Sequence, residues 1–350
     1  MRNIYLISTV LLVIVSFIGC DQVTAPNSKP RGPVWVVYHS YNSQLLSDTI
    51  NAIIIVNDTK WIATDKGANS ISSVGWQKYT DSLRYATPVG LSRKVNAITV
   101  GKDRSVWFGL AGGGVVRLNL YNSVGGRWKR YTTPDLNTDY VYALAVDILG
   151  DIYVGTSNGL SRFIPDNSNI NGGRWLRYGS GNSPLPDEPI RCASLNPYDN
   201  LVWFGTSSHG IVSFDSDFYW NIDTPSETPF PIVAMAFSRY NAIWFGTYAD
   251  WAYHYSTTTY EWTHVADSAS GGGLKGNFVN AVAIQYDGTV WFGTNKGLTQ
   301  FNGTLWQTFT RESSLLPSDT VTSLSFDSKG NLWIGTPQGL AEYNAEGTIQ

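Results

Sequence analysis

The chain has 350 residues, is 43% hydrophobic and 14% aromatic, and carries a formal net charge of −3. That supplies apolar material for a large core, while a slightly acidic balance gives a nucleic-acid partner no electrostatic support. Its two cysteines, Cys20 and Cys192, cannot build a disulfide framework.

In chain order, residues 1–19 read as a targeting leader. Arg2 supplies the positive start, and the apolar run over 4–18 is short for a transmembrane helix. The run ends Phe17-Ile18-Gly19-Cys20, which resembles a bacterial lipobox with Phe17 where Leu is usual. That resemblance implies lipid on Cys20, membrane attachment through the anchor only, and a place in the cell envelope. Asp21-Gln22-Val23 lacks the acidic cluster associated with surface export, so a periplasm-facing lipoprotein is expected. Residues 20–33, with Pro26, Pro30 and Pro33, read as a flexible tether.

From there the sequence repeats. The clearest unit is Val290-Trp-Phe-Gly-Thr-Asn-Lys-Gly-Leu-Thr-Gln-Phe301, and its aromatic recurs at Trp61, Trp107, Tyr153, Trp203, Trp244, Trp291 and Trp333. The intervals are 46, 46, 50, 41, 47 and 42 residues. A period of this size built from short β-type runs predicts an all-β, seven-bladed β-propeller with four-stranded antiparallel blades. Each unit gives an innermost strand with small residues (Ala97 and Thr99, Ala143 and Ala145), then the Trp-Phe-Gly-Thr strand. A turn that usually contains Gly follows, then a third strand, then an outermost Trp-x-x-aromatic strand such as Trp76 to Tyr79. Thirteen of the 14 tryptophans fall in these slots, and Trp251 does not.

The last unit stops after its third strand, and the missing outermost strand sits at the other end as Trp35-Val-Val-Tyr38. This predicts a single domain over 34–345, closed when the N-terminal strand completes the last blade, with 346–350 as a tail. Closure removes the open edge, and a monomer is expected.

The motif Trp-Phe-Gly-Thr-x-x-Gly-Leu followed by Trp-x-x-Tyr resembles the two-component-regulator propeller repeat, over essentially Trp35 to Tyr343. That resemblance implies a relation to the periplasmic sensor propellers of hybrid histidine kinases, which help sense oligosaccharides in Bacteroidetes-type bacteria. The repeat also occurs in stand-alone exported proteins, among them a propeller component of a secretion system. The expectation is therefore a non-catalytic propeller that binds an oligosaccharide or an envelope protein, without a cofactor. The alternatives are a polysaccharide-acting enzyme (a lyase or glycosidase) and an envelope or secretion assembly factor.

Candidate site residues follow from departures within the repeat. In a closed propeller the second residue of each innermost strand lies near the channel mouth: Asn51, Asn96, Tyr142, Arg191, Val233, Asn280 and Thr322. The Asn and Thr positions read as hydrogen-bond partners of neighbouring blades. Arg191 and Tyr142 break the pattern and read as ligand contacts. Blade 5 carries Tyr248-Ala-Asp250-Trp251 in place of a Gly turn, so Tyr248, Asp250 and Trp251 are the other candidates, with His209 of blade 4. An aromatic face suits a sugar, and Arg suits a carboxylate. For catalysis the material is thin. Asp103, Asp147, Asp287 and Asp327 fall in turns, His254 and His264 fall on outer strands of blade 5, and no metal-ligand spacing occurs. Cys192, at a small innermost position, reads as a buried thiol.

Overall fold

The computed structural model describes residues 33–80, 93–120, 128–166, 172–214, 220–223, 231–239, 242–266 and 273–345. The expected leader, the lipidation at Cys20, the tether before residue 33 and the tail lie outside the described residues.

Seven antiparallel four-stranded sheets make a seven-bladed β-propeller. Blade 1 runs Ile50–Val56, Thr59–Thr64, Gly67–Ser72 and Gly75–Tyr79, each strand pairing with the next. Blades 2 to 6 repeat this over 95–131, 141–178, 190–223, 232–265 and 279–309. Blade 7 takes Ser323–Phe326, Leu332–Thr336 and Gly339–Asn344 from the C-terminal end, and Val34–Tyr38 from the N-terminal end.

Closure has the expected register: Trp35 lies opposite Tyr343 and Tyr38 opposite Leu340. The Trp35 ring meets Tyr343 at 4.7 Å and Phe309 of blade 6 at 5.8 Å between centroids. Tyr38 stacks on Trp333 at 5.8 Å, and its hydroxyl donates to Glu342 Oε2 at 3.1 Å. The N-terminal strand thus fills the wide outer gap with aromatics, as the outermost strands of other blades do.

At the axis the problem is the reverse, because the blades crowd. The Gly of the Trp-Phe-Gly-Thr strand sits where the next blade's innermost strand comes closest. A Cβ on Gly293 would lie 2.5 Å from the Val321 side chain, and one on Gly335 would lie 2.7 Å from Ile50. No side chain fits those gaps. In six blades the innermost strand carries a bulge between its first and third residues, so its second residue leaves the ladder. Freed in this way, Asn51 Nδ2 donates to the Val95 carbonyl at 2.8 Å, Asn96 to Val141 at 2.8 Å and Asn280 to Val321 at 3.0 Å. Thr322 Oγ1 completes the series with Ile50 at 2.7 Å. Each bond joins one blade to the next.

The turn acids serve the backbone. Asp147 Oδ1 accepts from the amides of Leu149, Gly150 and Asp151, and its Oδ2 accepts the Tyr153 hydroxyl at 3.0 Å. Arg162 pairs with Asp151 at 2.6 Å beneath them. In blade 7, Asp327 takes Trp333 Nε1 at 3.2 Å and Lys60 Nζ at 3.4 Å.

Two stability effects are expected. Trp35→Ala removes the aromatic that binds blade 7 to blade 6 and should cost about 3 kcal/mol, read from the urea midpoint. Gly293→Val forces a side chain into the 2.5 Å gap to Val321 and should cost at least about 3 kcal/mol. An unchanged midpoint in Gly293→Val would show that the blades are not held at this distance.

Candidate functional site at the channel mouth

The second to fourth residues of all seven innermost strands surround a cavity of about 270 Å³ at the axis. Four of its lining residues, Asn51, Asn96, Asn280 and Thr322, are the inter-blade latches just described. Blades 3 and 4 carry Tyr142 and Arg191 at that position instead. The Arg191 guanidinium lies over the Tyr142 ring at 4.3 Å, and its Nε donates to Ser207 Oγ at 3.1 Å. Tyr140 meets Tyr142 at 4.9 Å from behind. One hydrogen bond and one ring face hold the side chain, and no carboxylate pairs with it among the described residues. An unpaired guanidinium in a narrow polar cavity is equipped to take an anionic group in a bidentate fork.

The other candidates go to different partners. His209 is mostly exposed on the blade 4 turn, with Nδ1 3.1 Å from Glu188 Oε1. Burial works against the Glu188 charge, but the Ser208 hydroxyl and amide, together with His209, hold its carboxyl below the ordinary range. Tyr248 packs edge-on against Phe278 at 4.6 Å and remains half exposed. Asp250 accepts the Tyr253 hydroxyl at 2.5 Å and faces His264 Nε2 at 3.4 Å. No ion pair joins Arg191 to Asp250 among the described residues. His264 lies on the outermost strand of blade 5, as its sequence position implies, and reaches Asp250 from there.

Trp251 takes the place of a glycine. Thr247 N and Oγ1 both donate to its carbonyl at 3.0 Å, as Thr206 donates to Gly210 in blade 4. Its own amide donates to Asn277 O, as Gly159 donates to Glu188 O in blade 3. The turn geometry imposes a φ of 52° on Trp251, where Gly159 has 82° and Gly210 has 70°. A bulky side chain in this region carries about 1–2 kcal/mol of backbone strain. The ring is half-buried against the core shared by blades 5 and 6, and its other side faces away from the axial cavity towards the loop around Lys275.

Sequence reasoning missed Glu188, Ser207 and His264. Glu188 lies on the connection into blade 4 and Ser207 on its turn, 21 and 16 residues from His209 and Arg191, and no feature of the repeat signals these two meetings. Among the described residues no group of three or more His, Cys, Asp or Glu could hold a metal ion.

Residues 273–296 and 315–338 match the family described as Two component regulator propeller. No curated protein matches the chain. Solved structures do. The extracellular domain of a hybrid two component system from B. thetaiotaomicron is 16% identical with a TM-score of 0.65, over 87% of this chain and 39% of that one. Virginiamycin B lyase from Staphylococcus aureus, in a catalytically inactive form with quinupristin, is 17% identical with a TM-score of 0.67, over 89% and 99%. PorZ of Porphyromonas gingivalis, an essential surface component of the type-IX secretion system, is 16% identical with a TM-score of 0.67, over 85% and 46%. The chain therefore spans less than half of the sensor domain and of PorZ. At these identities the likeness establishes the fold, which sensor domains and lyases share.

Cys192 lines the axial cavity but turns its sulfur into the blade 4–5 contact, where the thiol donates to Ile232 O at 3.5 Å. The residue keeps part of its exposure to the cavity, so it is less enclosed than its sequence position suggests, and it is a free thiol. Burial of the sulfur pushes its pKa up to about 12. Alkylation by iodoacetamide at pH 8 should therefore be at least about 100-fold slower in the native protein than in urea. Comparable rates in the two states would place the sulfur in solvent.

Proposed function

We propose that this protein is a non-catalytic binding propeller of the cell envelope, tethered through Cys20, that receives an anionic group of an oligosaccharide or envelope protein at its channel mouth. The observation that carries this reading is the Arg191–Tyr142 pair. It stands where Asn51, Asn96, Asn280 and Thr322 latch neighbouring blades, so that position gives up a structural bond and gains a cation. The periplasm-facing location rests on the lipobox resemblance and on the extracellular placement of the sensor domain that shares the fold.

A second reading has its own support. His209 beside Glu188 is a base oriented by a carboxylate, the arrangement a lyase needs to remove a proton next to an acidic group. Lyases also share this fold over almost their whole length.

One experiment separates the two. Wild type, Arg191→Ala and His209→Ala are tested against an array of acidic and neutral oligosaccharides, with binding and formation of unsaturated product followed in parallel. The binding reading expects retention of an anionic glycan without turnover. It expects at least about a tenfold loss of affinity in Arg191→Ala at an unchanged melting temperature. Product formation that disappears in His209→Ala would replace the binding reading by the lyase reading.

A further inference from the structure

A groove of about 660 Å³ runs between blades 5 and 6, apart from the axial cavity. Its lining comes from four places in the chain. Trp251 closes the blade 5 turn, and Lys275, Gly276 and Asn277 lie on the connection into blade 6. Lys296 sits on the blade 6 turn, and Thr308, Thr310 and Ser313 lie at the end of the outermost strand of blade 6 and beyond it.

The walls are held by backbone. Trp251 N donates to Asn277 O at 3.0 Å, and Asn295 N donates to Phe278 O at 3.1 Å. Gly276 has a φ of 83°, and a Cβ there would lie 2.5 Å from Asn295 Oδ1 and 3.0 Å from the Lys296 Cβ. The connection is thus pressed onto the blade 6 turn and keeps the two lysine-bearing segments together.

The chemistry of the lining is specific. Trp251 lines the groove with an indole that is partly packed on the core. Lys296 is exposed, and its ammonium has no hydrogen bond or ion pair among the described residues. The Thr308 hydroxyl shares a hydrogen bond with Thr299 at 3.0 Å, those of Thr310 and Ser313 share one at 3.1 Å, and Asn277 Nδ2 donates to Ala249 O at 3.5 Å, so these groups offer the groove their remaining lone pairs and protons. The nearest acid of the turn, Asp250, is already engaged by Tyr253 and His264 and is not part of the lining. An aromatic surface for C–H groups, hydroxyls for hydroxyls and an ammonium for one negative charge together describe a ring-shaped polyol that bears a carboxylate.

We propose that this groove binds a uronic acid residue of an acidic oligosaccharide, its ring against Trp251 and its carboxylate on Lys296. The strained turn fits this assignment. Six blades keep Gly at the turn, and in blade 5 alone a large aromatic occupies the left-handed position and is thereby aimed into the groove. The site is independent of the mouth, since Arg191 contributes nothing to the groove.

The test is isothermal titration of the full chain with an oligogalacturonate, an oligoglucuronate, the methyl-esterified oligogalacturonate and an acidic peptide. Binding of at least one uronate is expected, with a groove event weakened about tenfold by esterification, by Lys296→Gln and by Trp251→Gly. Arg191→Ala, which weakens binding at the mouth, leaves that groove event in place. Raising the salt concentration should weaken it further. Lys296→Gln alters an exposed side chain, and Trp251→Gly restores the residue that the other blades carry, so both variants are expected to fold. The proposal is overturned if neither uronate binds, or if no binding event is weakened by the groove substitutions. Loss of all binding in Arg191→Ala alone overturns it and moves the ligand to the mouth. Binding of the acidic peptide but of neither uronate, abolished by Lys296→Gln, overturns the sugar assignment in favour of an acidic protein segment.

Discussion

Everything in this ring depends on how closely one blade can approach the next at the axis. The approach is set by a missing side chain. Gly293 against Val321 and Gly335 against Ile50 leave no room for a methyl group, and Ala63, in the corresponding place of blade 1, is the one larger residue there. Once the blades are that close, a bulge in six blades turns the second residue of the innermost strand towards its neighbour, and the Asn there, or Thr322 just before the innermost strand of blade 7, reaches the next blade's carbonyl. Each such bond contributes only about 1 kcal/mol. Their value lies in repetition, because every latch fixes a distance that the large outer aromatics then fill. Six blades pair a Gly at the axis with large outer aromatics, and blade 1 does so with Ala63.

The same constraint explains where the ring can accommodate function. A latch can be omitted at a few positions if the Gly contact and the outer packing remain. Tyr142, Arg191 and Val233 omit it, and they belong to three consecutive blades. Of these, Val233 adds nothing polar, whereas Tyr142 and Arg191 interact with each other across two blades at 4.3 Å. The pair is held by a rigid floor, so a guanidinium placed there has little freedom to lose on meeting an anion. The axial cavity is narrow, at about 270 Å³, and suits one charged group better than a whole sugar chain.

The fold was legible because the repeat reports it seven times, and closure was legible because one end of the chain lacks what the other has to spare. That Tyr142 and Arg191 break the pattern was readable from their shared slot in adjacent units, whereas their contact was not read from the sequence. Other parts were hidden for physical reasons. The Gly in the Trp-Phe-Gly-Thr run looks like any strand glycine until the neighbouring blade is in place. Grouping Arg191, His209, Tyr248, Asp250 and Trp251 into one site followed from their nearness in blade order, but contacts are decided by loop conformation. Glu188 takes His209, Tyr253 and His264 take Asp250, and Phe278 takes Tyr248. The groove residues Lys275, Lys296 and Thr308 share no motif, because they converge only through the packing of connections.

Blade 5 shows how a repeat tolerates a costly exception. In blades 1, 2, 3 and 6 a Cβ at the turn glycine would strike the carbonyl that ends the outermost strand, at 2.6, 2.2, 2.5 and 2.4 Å. In blade 5 Trp251 stands at that position, and the outermost strand ends on Val265 opposite Ala252 where blades 1, 2, 3 and 6 end on Tyr or Phe. The aromatic missing from the end of the strand and the aromatic gained at the turn are thus one exchange, made within a single blade. Trp251 then covers core that the lost ring would have covered, beside Leu274 and Val279, which offsets the backbone strain. The exchange carries an indole from the inside of the blade to the rim between blades 5 and 6.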